Sequence, residues 1–407
     1  MQTSLADFIR DTHEGREADA ILRSCVHCGF CNATCPTYQL LGDELDGPRG
    51  RIYLIKQFLE GEASGEVTRQ HLDRCLTCRS CETTCPSGVQ YARLADIGRE
   101  LTEKTVPRPA LSKALRMTLR QVVPYRKRIA PVLAMGRWVR RALPSSLRAK
   151  VPPRQRPGPW PVARHTRRML ALGTCVQAAA TPRTDAAAAR VLDRLGVSLL
   201  AMPQTGCCGA LSQHLGAVDE ARAQARRNID AWWPEIERGA EAIVVSASGC
   251  AVTVKDYAAL LAQDPTYADK AARVSAMARD LAEVIADEPI EDRLTLQEPT
   301  TPTAVHQPCT QRHGERLPDR VNGILTRLGA SLTPTVDDHL CCGSAGTYSI
   351  LQPKLANQLR TNKLAALQGG APARIVTANI GCQLHLAGGT RTAVRHWIEV
   401  LDPWSER

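Results

Sequence analysis

With 407 residues, 43% hydrophobic and only 4% aromatic, the chain is long enough for two or three domains and too poor in rings for a base-stacking surface. The formal net charge of +11 is concentrated: Lys104 to Thr184 carries 19 Lys or Arg and no Asp or Glu, against 33 basic and 41 acidic residues elsewhere. No run approaches the ~20 apolar residues of a membrane span. The opening MQTSLADFIRDTHEGREADA also lacks the sections of a secretory signal, so a cytoplasmic protein is expected. There, sixteen cysteines predict metal or redox chemistry rather than disulfides.

The first predicted unit is a short repeat. Cys25, Cys28, Cys31 and Cys35 recur fifty residues on as Cys75, Cys78, Cys81 and Cys85, both sets reading C-x2-C-x2-C-x3-C-P. Three thiolates at x2 spacing wrap one [4Fe–4S] cube, and the fourth, after an x3 gap, reaches the other cube. The expected ligands are therefore Cys25, Cys28, Cys31 and Cys85 for one cluster, and Cys75, Cys78, Cys81 and Cys35 for the other. Gly29 suits a backbone turning sharply around metal. Zinc is the competing reading, but it prefers two C-x2-C pairs across a longer span. His27 and His71 are read as solvated neighbours rather than ligands. Between the motifs, Pro48 opens a predicted helix with Ile52, Ile55 and Leu59 on one face, and residues 91–104 predict another.

Residues 111–143 predict two basic amphipathic helices separated near Pro124 and Pro131. Leu111, Leu115, Leu119 and Val122 form one stripe, and Leu133, Met135, Trp138, Val139 and Leu143 the other. Arg116, Arg120, Arg126, Lys127, Arg128, Arg137, Arg140 and Arg141 surround them. Such a segment suits anionic lipid near a quinone pool, a bridge packed between domains, or an acidic flavoprotein partner. No nucleic-acid reader is visible, and no nucleic-acid partner is expected. Six prolines from Pro144 to Pro161 predict a stiff linker or strap.

The remainder predicts a second, longer repeat. Cys175, Cys207 and Cys208 recur 134 residues on as Cys309, Cys341 and Cys342, and Cys250 recurs as Cys382. The apolar runs MLALG, VSLLAM, AIVVSA, TAVHQ and RIVTAN precede these cysteines, and helical patterns follow. This reads as βα units in parallel sheets, with cysteines just past the strands' carboxyl ends, where open α/β sheets bind ligands. The eight cysteines hold further iron–sulfur clusters, act as thiols facing a partner or substrate, or pack as small hydrophobes. Four per lobe, repeated at strand ends, exceed what packing requires and favour metal. No GxGxxG with its ribose-binding acid and no phosphate-cradling GxxxxGK[ST] is present, so no catalytic residue is expected here and any flavin belongs to a partner.

Gly206-Cys207-Cys208-Gly209 and Cys341-Cys342-Gly343 resemble the CCG modules of heterodisulfide reductases. Those modules often end in C-x2-C, whereas Ala247 and Asn379 stand three residues before Cys250 and Cys382. The whole layout, and CVHCGFCNATCPTYQLLGDELDGPRGRIYLIKQ above all, resembles the iron–sulfur subunit of glycolate oxidase, also called glycolate dehydrogenase. The small subunit of anaerobic glycerol-3-phosphate dehydrogenase is similar in layout. The resemblance implies an oxidoreductase complex in which FAD-binding subunits oxidise glycolate to glyoxylate and this chain relays electrons towards a quinone. The alternatives are the small subunit of such a glycerol-3-phosphate dehydrogenase-like complex, a thiol or heterodisulfide reductase using the CCG cysteines, and a redox sensor whose clusters report oxidation. The expected fold is α+β and α/β. It comprises an α-helical two-cluster ferredoxin domain (1–104), basic helices with a Pro-rich linker (105–165), and two CCG lobes (166–300 and 301–407).

Overall fold

The computed structural model describes residues 1–62, 65–140, 142 and 151–404. Arg141, Leu143 and Pro144 of the basic segment lie outside them.

The N-terminal region is helical. Its longer helices, His13–Ser24, Pro48–Leu59 and Tyr91–Thr105, pack through Leu22, Ile55, Leu59 and Leu94, all fully buried. Pro48 is the first residue of its helix, where the missing N–H costs nothing. Short helices Phe30–Ala33 and Ser80–Thr84 follow the two cysteine loops.

The second half contains two parallel sheets. In the first, β1 (Arg167–Ala171), β2 (Val197–Leu200), β3 (Ala242–Val245) and β4 (Ala278–Asp280) lie in the order β2-β1-β3-β4. In the second, β5 (Thr303–His306), β6 (Arg374–Thr377) and β7 (Ala393–His396) lie in the order β5-β6-β7. The central strands β3 and β6 are buried at every position, the pattern of a parallel sheet covered on both faces. All five predicted strand runs fall on the sheets or their edges.

The lobes differ at one edge. The counterpart of β2 in lobe two is a single bridge between Thr303 and Leu332. Pro334, two residues on, has no N–H for the ladder. One hydrophobic core serves both sheets: Val191, Leu195 and Val244 pack in the same cluster as Val305, Val376 and Trp397. The lobes also join at their strand ends, where the Ser248 amide donates to the Ala378 carbonyl (3.1 Å) and the His396 ring lies 2.8 Å from the Ser246 carbonyl.

The basic segment corrects two expectations. Pro131 lies inside the helix Arg126–Trp138 rather than between helices. In the helix Ala110–Val122 the packed face is Arg116 and Leu119, while Leu111 and Leu115 of the predicted apolar stripe are exposed. Arg116 is drawn inward by Asp73, 2.7 Å away, which also takes Arg108. The described part of the Pro-rich stretch straps lobe one: Trp160 Nε1 donates to the Leu199 carbonyl (2.9 Å), and Arg190 holds the carbonyls of Pro157 and Pro159.

Candidate redox centres

The two ferredoxin motifs fold into loops of the same shape. His27 and Gly29 in the first, and Thr77 and Arg79 in the second, have positive φ. Equivalent positions thus turn left-handed in both loops, and only one of the four is glycine. Non-glycine residues accept this conformation at a cost when the surroundings require it.

Each loop closes a cavity, and each cavity takes its fourth cysteine from the other motif. Cys25, Cys28 and Cys31 line one together with Cys85. Cys35 lines the other with Cys75 and Cys78. Cys81 lines both, as do Pro48 and Tyr91, so the cavities adjoin. No carboxylate lines either one. His27 also lines the first, but on the exposed side, and the cysteines at each cavity are a soft donor set that suits a cubane cluster. Burial, followed by the nearby sulfurs of Cys25, Cys85 and Cys28, pushes the Cys31 thiol up to about 11. Sulfurs that crowd in this way are relieved by binding metal.

The surroundings of the two cavities differ. Cys28 is exposed, and Val26 and Phe30 beside it are 69% and 62% accessible. The second cavity has no exposed cysteine and is flanked by two buried arginines. Arg51, 1% exposed, reaches the Cys35 sulfur at 3.9 Å, the Thr37 hydroxyl at 3.1 Å and the His71 carbonyl at 2.8 Å. Arg99 donates to the Cys75 carbonyl (2.9 Å) and the Thr77 hydroxyl (2.7 Å). Burial pushes the Cys75 thiol up, but Arg51 and Arg99 outweigh it and bring it below its ordinary value.

His71 corrects its sequence reading. It is buried, with its ring 2.9 Å from the Asp46 carboxylate, which also takes Arg51 and Arg74. His27 is exposed, as expected.

The cysteines of each CCG lobe also come together. In lobe one, Cys175 touches Cys207, and Cys208 touches both Cys207 and Cys250. In lobe two, the Cys309 and Cys341 sulfurs are 3.7 Å apart, and Cys342 touches Cys341 and Cys382. Glycine ends each Cys-Cys pair because the chain turns left-handed there, at φ 102° for Gly209 and 87° for Gly343. A Cβ on Gly343 would lie 2.7 Å from the Ala356 carbonyl oxygen.

The lobes contact the ferredoxin region unequally. Cys78 packs in one cluster with Cys309 and Cys341, placing the second cavity against lobe two. Arg79 pairs with Asp256, the Thr83 hydroxyl lies 2.8 Å from the His313 ring, and Gln213 donates to Asp96 at 2.7 Å. On lobe one, Leu133 of the basic helix packs with Val176 and Cys250. Sequence reasoning missed Arg51, Arg99, Tyr91 and His306, all of which border cysteines.

Residues 21–89 match the family described as a 4Fe-4S dicluster domain, and residues 170–255 and 303–387 match the family described as a cysteine-rich domain. The chain is 54% identical over 408 residues to the glycolate oxidase iron-sulfur subunit of Escherichia coli K12, covering all of both chains. It is 28% identical to the probable glycolate oxidase iron-sulfur subunit of Bacillus subtilis 168, over 94% of this chain and 92% of that one. Lactate utilization protein A of Bacillus licheniformis is 27% identical, over 56% of this chain and 96% of its own length. Among solved structures, a hypothetical protein from Helicobacter pylori shares the fold, with a TM-score of 0.53 and 10% identity, over 97% of this chain and 73% of that one.

Proposed function

The chain belongs to the family of glycolate oxidase iron–sulfur subunits, and from that membership and its paired thiol cavities we propose that it carries electrons from FAD-binding partner subunits oxidising glycolate to glyoxylate, towards a quinone. Glycolate releases two electrons and two protons in becoming glyoxylate, and a quinone takes up two of each, so this chain handles electrons alone. When bound, [4Fe–4S] clusters supply the one-electron exchange. We assign Cys25, Cys28, Cys31 and Cys85 to one cluster and Cys35, Cys75, Cys78 and Cys81 to the other. We place the ferredoxin-type domain at 1–104, the basic helices and Pro-rich linker at 105–165, and the CCG lobes at 166–300 and 301–407.

The observation that carries this reading is the position of Cys81, Pro48 and Tyr91, shared by both cavities. They keep water out of the narrow wall between two redox sites. The exposed edge around Cys28 suits the electron donor. The buried arginines of the second cavity favour the more negative, reduced state there and draw electrons inward.

The tagged chain, purified anaerobically from its own cells, should bring down a flavin-containing subunit. Added glycolate should bleach the iron–sulfur absorbance of that complex, and the chain freed of partners should not respond. Clusters that dithionite reduces but glycolate leaves oxidised, in a complex containing flavin, would rule the reading out.

No described helix is long and apolar enough to cross a membrane. The helix Arg126–Trp138 offers a surface contact instead. Val132, Met135 and Trp138 are 46%, 64% and 87% exposed, on the helix that begins with Arg126, Lys127 and Arg128. We assign this face to anionic lipid. Trp138→Glu should weaken co-sedimentation of the complex with phosphatidylglycerol vesicles about tenfold, ~1.4 kcal/mol. Equal binding by both forms would rule lipid out and leave this helix as a bridge or as a face for the flavoprotein partner.

A further inference from the structure

Positions where two duplicated lobes differ mark what one does and the other does not. Three residues before its first cysteine, lobe one has Leu172 and lobe two has His306. At the end of the central strand, lobe one has Val245 and lobe two Thr377. An apolar pair in one lobe is thus a polar pair in the other, and the pair is in contact: His306 Nδ1 lies 2.9 Å from the Thr377 hydroxyl.

His306 is 1% exposed, and its Nε2 has no hydrogen-bond partner. A buried donor or acceptor without a partner destabilises a fold, and leucine at this position would carry no such cost. A ligand explains the residue. One ring nitrogen of His306 and the sulfurs of Cys342 and Cys382 all lie within 4.8 Å of one another. With Nδ1–H donating to Thr377, the Nε2 lone pair is free, the arrangement typical of metal-binding histidines.

We propose that lobe two holds an iron–sulfur cluster with His306 Nε2 as a ligand beside Cys342 and Cys382, with Cys309 and Cys341 completing the set, and that lobe one, with Leu172, has no such centre. The role of this cluster rests on the electron-relay reading above; its ligation does not. Thiolate with imidazole also suits zinc, but structural zinc takes four ligands and has no use for a neighbouring redox site. Here five sulfur and nitrogen donors converge, and Cys309 and Cys341 pack against Cys78 of the second ferredoxin cavity. Electron transfer across that contact oxidises the ferredoxin cluster by one electron and reduces the lobe-two cluster by one. A neutral imidazole in place of a thiolate raises a cluster's potential, so electrons run downhill into lobe two.

The test is pulsed EPR of the anaerobically purified complex. One reduced cluster should show strong nitrogen hyperfine coupling, with iron above the ~8 per chain that two cubanes need. His306→Leu, the lobe-one residue, should abolish that coupling and lose the extra iron while both ferredoxin signals remain. His306→Cys should keep the iron, lose the coupling and lower the potential. Thr377→Val, which leaves every ligand in place, should alter the coupling and guards against a His306 variant that does not fold. A wild-type spectrum without nitrogen coupling, a coupling that survives in His306→Leu, or zinc in place of the extra iron would overturn the proposal. If the coupling is present but glycolate fails to reduce the ferredoxin clusters, the relay reading falls and the ligation stands.

Discussion

Cys85→Ala should remove the cluster of the first motif, not the cluster of its own. Cys85 ends the second C-x2-C-x2-C-x3-C run, yet it lines the cavity of Cys25, Cys28 and Cys31, and its sulfur is close enough to raise the Cys31 thiol. Iron should fall by about four atoms per chain, and glycolate-dependent reduction of a quinone analogue should drop to background. The identity of the lost cluster is the decisive result. The EPR spectrum of reduced Cys85→Ala should coincide with that of Cys28→Ala, in which the first motif is broken directly. It should differ from that of Cys78→Ala. Cys35→Ala should show the converse and match Cys78→Ala, because Cys35 lies with Cys75 and Cys78. A match between Cys85→Ala and Cys78→Ala would mean that each motif closes its own cube, and the assigned ligand exchange would be wrong.

What the sequence conveyed about this site and what it hid have physical causes. The cysteines that line the two cavities are legible because x2 and x3 gaps fix local loop geometry, and their exchange between the cavities follows from the direction of the fourth thiol. The central strands are legible because burial on both faces demands short apolar runs such as AIVV and RIVT. The strands β4 and β7 escaped because ARD is only three residues long and AVRH is largely open to solvent. The polar network behind the second cavity escaped for another reason. Asp46, Arg51, His71 and Arg74 are spread along the sequence, and each taken alone reads as a surface residue. Only the fold shows that they neutralise one another in the interior. The exchange of Leu172 and Val245 for His306 and Thr377 is visible when the two repeats are set side by side, but none of the four is a cysteine and each fits a strand end by itself.

Arg51→Leu should destabilise the protein and make the second cluster selectively harder to reduce. Arg51 is 1% exposed and its partner Asp46 fully buried, so its loss leaves a carboxylate with fewer cations in a place water does not reach. Breaking a buried pair costs ~3–5 kcal/mol. Arg74 at 2.7 Å and His71 at 2.9 Å still face Asp46, which puts the expected loss near the lower end. The midpoint of chemical denaturation under anaerobic conditions measures it. Arg51→Lys, which keeps the charge but cannot span Cys35, Thr37 and the His71 carbonyl at once, should fall between the two. Stability alone would not separate a structural arginine from an electrostatic one, but the potentials do. Arg51 lines the second cavity and not the first, so removing its charge should lower the potential of the second cluster and leave the first almost unmoved. The Lys variant should restore most of that potential even where it does not restore stability, because potential follows charge while stability follows the hydrogen-bonded fork. Equal shifts of both clusters in a spectroelectrochemical titration would instead mean that Arg51 acts only by holding the fold together.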